Sequence, residues 1–177
     1  MRGTATAVED YLREVADLIE RLGISIRGDG DVPLLEDRTG GLSFELVGDL
    51  PDGHSPARSE VIVREAFEPD GEHGYVRSLY EYELIDRERG FRRGYHLHSP
   101  EWFERRFLVV VHEHCERPIG KVDCDHYEGT PVRDAFTGVL ALIEAWTGDP
   151  PDCSTLRCLE SYAADPAAAD PSPERHT

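Results

Sequence analysis

Histidine is the residue whose number and spacing first suggest chemistry. Of the eight histidines, His96, His98, His112, His114 and His126 fall between positions 96 and 126, and Cys115 and Cys124 share that window. Imidazole ordinarily titrates near neutrality, so such a cluster can pass protons, and its neutral nitrogen is also a common ligand for transition metals. The surrounding pattern is strand-like, and residues two apart on a strand point to one face. His96 therefore shares a face with His98, and His112 with His114.

A hairpin of strands 90–98 and 105–115, closed by residues 99–104, places His98 near Arg105 and His112 opposite Phe91. The two pairs are then separated by roughly 23 Å of strand, and one site from both is not expected. The following hairpin offers a better set. With a turn at 117–120, His114 faces Cys124 and His112 faces His126, so His112, His114, Cys124 and His126 share one patch. Three imidazoles and a thiol are the ligand types of a tetrahedral zinc site. The same patch can serve as acid and base without a metal, or it can be hydrogen-bonded histidine on a half-buried sheet. Spacing leaves all three readings open, because a register slip of one residue turns a pair to the other face.

A second feature is a local reversal of charge. Arg87, Arg89, Arg92, Arg93, Arg105 and Arg106 stand against Glu88, Glu101 and Glu104, with Tyr95, Trp102, Phe103 and Phe107 among them. Interleaved cations and rings suit unpaired bases beside phosphates. They equally suit arginines paired with acidic neighbours on an exposed strand.

The whole chain has the opposite balance. Its 177 residues carry 36 Asp plus Glu against 19 Lys plus Arg, a formal charge of -17. That excludes broad DNA or RNA coating and anionic-membrane binding, both of which need many cations. Lys121 is the only lysine, a composition that fits either a GC-rich genome or a high-salt habitat. There is no apolar segment long enough to span a membrane and no export signal at the N-terminus, so the sequence reads as cytoplasmic. Reduced thiols follow from that location, and Cys115, Cys124, Cys153 and Cys158 are expected as free thiols or ligands. Cys115 falls on the face opposite His112 and His114 and reads as a core thiol.

The elements that must position these residues are legible from periodicity. Val8, Tyr11, Leu12, Val15, Leu18, Ile19 and Leu22 form one helical stripe, closed by Gly23. Residues 24–27 fit a short strand, and the acidic turn at 28–31 lacks the ligand spacing of a calcium loop. Period-two segments follow at 42–47, 60–67, 75–86, 90–98 and 105–115, joined by short turns that favour an antiparallel meander. Thr130 is the expected N-cap of a last helix, with Pro131 first inside it and Val132, Phe136, Val139, Leu140, Ile143 and Trp146 buried. The fold class is thus α+β, an antiparallel meander of about five to six strands flanked by an N-terminal and a C-terminal helix. It forms a single domain over 1–148, and residues 149–177 read as a largely disordered Pro/Ala-rich tail.

This order of elements resembles the TumE-type toxin family of prokaryotic toxin-antitoxin systems. The matching pieces are Ser59-Glu60-Val61-Ile62-Val63-Arg64-Glu65, Tyr80-Glu81-Tyr82, Arg92-Arg93-Gly94-Tyr95-His96 and His112-Glu113-His114, within residues 8–147. The chain departs from the family in its insertion at 28–41, its tail and its block at 115–127. The resemblance implies a growth-inhibiting toxin held in check by a cognate antitoxin and does not itself supply a reaction. Imidazoles near arginines in one sheet suggest RNA as the target, cleaved by a metal-independent endoribonuclease. In that reading His112 or His114 is the base, His126 or His96 the acid, and Arg92 or Arg93 the phosphate clamp. The alternative is a non-catalytic, zinc-type interaction module built on His112, His114, Cys124 and His126.

Overall fold

The computed structural model describes residues 2–28, 32–51, 59–71, 74–97, 109–120, 124, 126–129, 131–148 and 152–159. The expectations for His98, Arg105, Arg106, Asp29, Asp31, Thr130 and the tail from 160 onward lie outside these residues. No helix among them is long and apolar enough to cross a membrane.

The expected α+β class is borne out. Helix α1 (Ala5–Arg21) is capped by the Thr4 side chain, which accepts from Ala7 N, and buries Val8, Tyr11, Leu12, Val15 and Ile19. Gly23 follows it at φ 76°, a left-handed conformation that a Cβ disfavours. Strands β1 (Arg2–Gly3), β2 (Ser25–Ile26) and β3 (Leu35–Glu36) are two-residue stubs. The meander is β4 (Leu42–Asp49), β5 (Glu60–Pro69), β6 (Tyr75–Asp86), β7 (Phe91–Leu97), β8 (Val111–Glu116) and the stub β9 (Tyr127–Glu128). All pairings are antiparallel in the order β2-β4-β5-β6-β7-β8-β9, with β1 on β6 and β3 on β4. Among the described residues the sheet has nine strands, because the stubs, too short to show periodicity, add to the expected meander.

Alternation gives the sheet two unlike faces. One carries Val61, Val63, Phe67, Tyr80, Tyr82, Leu84 and Phe91, all buried beneath α1 and α2 (Ala135–Thr147). The Glu65 carboxylate is fully buried within this layer. Glu65 Oε1 accepts from Tyr11 Oη at 2.7 Å, from Arg77 Nη1 at 3.2 Å and from Tyr82 Oη. Tyr11 Oη in turn accepts from Ala135 N at 2.8 Å, and Arg77 Nη2 donates to the carbonyls of Val132 and Arg133. The entry to α2 is thus pinned to α1 and β6. Its far end is held by Trp146 Nε1 donating to the buried Asp86 carboxylate at 2.9 Å and by Arg89 donating to Trp146 O.

Helix α2 departs from its expected start and stripe. Asp134 is the N-cap, and the inner face is Ala135, Gly138, Val139, Leu142 and Trp146, with Leu140 48% exposed. Apolar residues surround this helix, so period alone does not choose a face. Small residues do: a Cβ at Gly138 would overlap the Tyr82 ring, so only glycine lets the helix lie this close.

The cysteines also depart from expectation. Cys115 is bonded to Cys153 and Cys124 to Cys158, and no described cysteine is a free thiol. Residues 152–159 are consequently folded onto the sheet, with Leu159 buried. The pairing overturns the free thiols expected from a cytoplasmic reading.

Replacing Glu65 with Ala leaves two phenols and a guanidinium without their shared acceptor in a dry layer. Urea unfolding should show a loss of about 3–5 kcal/mol, against about 1 kcal/mol for Tyr11→Phe. Wild-type stability in Glu65→Ala would show that this carboxylate does not hold the helices.

Candidate metal centre

The other face of the sheet is polar, and its register assembles the site. His96 pairs with His112, Gly94 with His114 and Arg92 with Glu116 across β7 and β8. This replaces the expected alignment of His112 with Phe91, because β8 begins only at Val111 and pairs closer to its own end. The separation argued from that alignment therefore does not exist for His96. Three imidazoles converge instead: the ligand nitrogens of His96, His112 and His114 all lie within 4.8 Å of one another. His112 Nε2 and His114 Nε2 stand 3.1 Å apart.

His126 joins from the β9 side, its ring centroid 5.1 Å from His112 and 4.9 Å from His114. The pairing observed is His112 with Glu128, a two-residue slip from the expected register that preserves the face. Cys124 does not join, since its sulfur is committed to Cys158 and offers no thiolate. The structure thus keeps His112 and His114 of the expected ligand set together, adds His96 to them, leaves the His126 ring beside them and loses Cys124.

Glycine makes two of these approaches possible. His96 leans along the sheet over Gly94, so that its Nε2 reaches 3.0 Å from Glu83 Oε1; a Cβ at 94 would sit 3.0 Å from that nitrogen. A Cβ at Gly129 would lie 2.8 Å from His112 Cα, so β9 can close on β8 only with glycine there. Both glycines were readable as residues but not as contacts.

The arginines take structural partners. Arg92 is shared by Glu83 at 2.7 Å and Glu116 at 2.8 Å. Arg93 points to the opposite face, where it is buried and paired with Glu113. Arg92 therefore shares the histidine face with its guanidinium held by two carboxylates, and Arg93 does not join it there. Consecutive strand residues cannot share a face, and the carboxylates opposite each arginine are already bound.

Burial, reinforced by the charges of His96, His126 and Arg92, pushes the His114 pKa down to about 3. Burial acts upward on Glu83, but the His96 contact and Arg92 prevail and hold its carboxyl down at about 2. His114 is therefore a neutral lone-pair donor at neutral pH, suited to a cation and unable to serve as a general acid there.

These features define an α+β sheet protein with a histidine cluster on the face away from its helices. No family model, curated protein or solved structure matches the chain.

Two outcomes follow. An unfolded histidine takes up a proton near pH 6.5 that folded His114 refuses down to about 3. Metal-free stability should therefore fall as pH drops through that window, by up to about 1.4 kcal/mol per unit. Urea titrations between about pH 7 and 5 should show a shallower slope in His114→Asn. Gly94→Ala should displace His96 and shift its ring NMR signals while Leu84 and Phe91, on the other face, keep theirs.

Proposed function

We propose that this protein binds a transition metal, of zinc type, through His96, His112 and His114. The observation that carries the reading is the approach of two imidazole Nε2 atoms to 3.1 Å beside a third ring. Two nitrogens bound to one tetrahedral zinc at 2.0–2.1 Å lie about 3.3 Å apart, so His112 and His114 already span one edge of such a polyhedron. Three supports accompany it. The rings come from two adjacent strands tied by six register pairs, a stiff base for ligands. The strong depression of the His114 pKa favours the unprotonated form a metal needs. Glu83 beside His96 stands where a carboxylate orients and enriches a ligating imidazole.

An all-imidazole set suits zinc, copper or nickel better than calcium or magnesium, which take oxygen. The role most in keeping with this site is a metal-stabilised interaction module. The toxin reading, with an RNA substrate and a cognate antitoxin, rests on the resemblance of motifs and draws no support from the arginines of the site.

Titrating EDTA-stripped protein with zinc against a chromophoric chelator tests the proposal. One zinc per chain is expected, with affinity lowered about 100-fold in His112→Ala and binding lost when His96, His112 and His114 are all alanine. Equal zinc binding by wild type and the triple variant would overturn it.

A further inference from the structure

His126 reaches the cluster from a strand with little ladder of its own. β9 pairs with β8 at only two positions, His112 with Glu128 and Glu113 with Tyr127. Two residues of pairing hold a strand weakly. His96, His112 and His114 stand on β7 and β8, which share six pairs.

Residues 152–159 supply what β9 lacks. Leu159 N donates to His126 O at 2.8 Å, and Glu128 N donates to Arg157 O at 2.8 Å. Tyr127 bridges to Cys158, and Arg157 pairs with Glu128 at 3.1 Å. The backbone of His126 is thus gripped on the side away from β8. The grip is covalent at both ends, through Cys124–Cys158 next to His126 and Cys115–Cys153 on β8 itself. The segment is a strap that ties the His126 strand to the strand bearing His112 and His114.

We propose that His126 is the fourth nitrogen ligand of the metal centre only while the Cys124–Cys158 disulfide is closed, so that metal affinity follows the redox state of the protein. This rests on the metal-binding reading above. Opening the bond takes two electrons and two protons from a dithiol, which is oxidised to its own disulfide while Cys124 and Cys158 become thiols. Cys158 is half-buried while Cys124 is buried, which makes Cys158 the more accessible of the two residues. Once the bond is open, the nearest covalent tie beside His126 is gone, and the segment holds on through the two-residue ladder, the hydrogen bonds to 157 and 159 and the more distant Cys115–Cys153 bond. The fourth ligand is then held loosely, and the other three stay in place.

Zinc competition titrations on stripped, oxidised protein separate the outcomes. Cys124→Ser/Cys158→Ser and His126→Ala should each bind zinc at least about tenfold more weakly than wild type. Combining them should weaken binding no further than His126→Ala alone, because both act through one ligand. A wild-type affinity in either variant overturns the proposal. Should the serine variant fail to fold, by far-ultraviolet circular dichroism, the same zinc competition titration on wild type reduced by a water-soluble phosphine decides. An affinity at least about tenfold below that of the oxidised protein supports the proposal, and an unchanged affinity overturns it. A wild type that binds no zinc at all refutes the metal reading itself, a result distinct from each of these.

Discussion

The buried carboxylate of Glu65 is the interaction on which the rest of this molecule depends. Removing an ionisable group from water is costly unless its charge is met by donors. Burial raises the Glu65 pKa, and Arg77, Tyr82 and Tyr11 act against that rise. Those donors come from β6 and α1, and through Tyr11 and Arg77 the network also takes the first backbone groups of α2. One oxygen atom therefore fixes where both helices lie on the sheet. With the helices committed to that face, the other is left to carboxylates, arginines and imidazoles.

That division explains how an acidic chain can carry a segment in which arginine leads. Arg92 and Arg93 are neighbours in sequence but stand on opposite sides of the sheet, Arg92 answering Glu83 and Glu116 and Arg93 answering Glu113. Arg64 does the same between Glu45 and Glu81. These cations serve internal neutralisation, and the histidines between them sit in a setting of low net charge. The separation also keeps the histidine face apart from the core, so a change at the cluster need not pass through the helices.

Much of the fold was legible because it rests on period. The apolar stripe of α1 and the alternation of β4 to β7 are properties of each segment alone, and the structure reproduces them. The face of α2 was not legible, because it turns on Gly138 meeting Tyr82, a contact between distant segments. The site was half legible. His112 and His114 share a face by spacing alone, and His126 joins them as expected. His96 is legible as a candidate but not as their neighbour, because an earlier start for β8 moves the register and separates partners that lie side by side. Cys124 was misassigned for a related reason. Its partner Cys158 is 34 positions away, beyond a whole helix, in a stretch whose composition resembles a tail. Of the residues that carry the family resemblance, Glu65, Tyr80 and Tyr82 belong to the helix-holding network or its border, and His96, His112 and His114 to the opposite face.

The stub strands have a consequence for the molecule as a neighbour of other molecules. A long meander ordinarily ends in open ladders that invite a further strand from another chain. Here one border of the sheet is occupied by β2 and β3, each two residues long, and the other by β9 with its bridge to Cys158. Strands this short offer little length for a foreign strand to match, and the disulfide-held segment lies across the last of them. The same few residues that complete the histidine cluster thus also blunt one border of the sheet against edge-to-edge association.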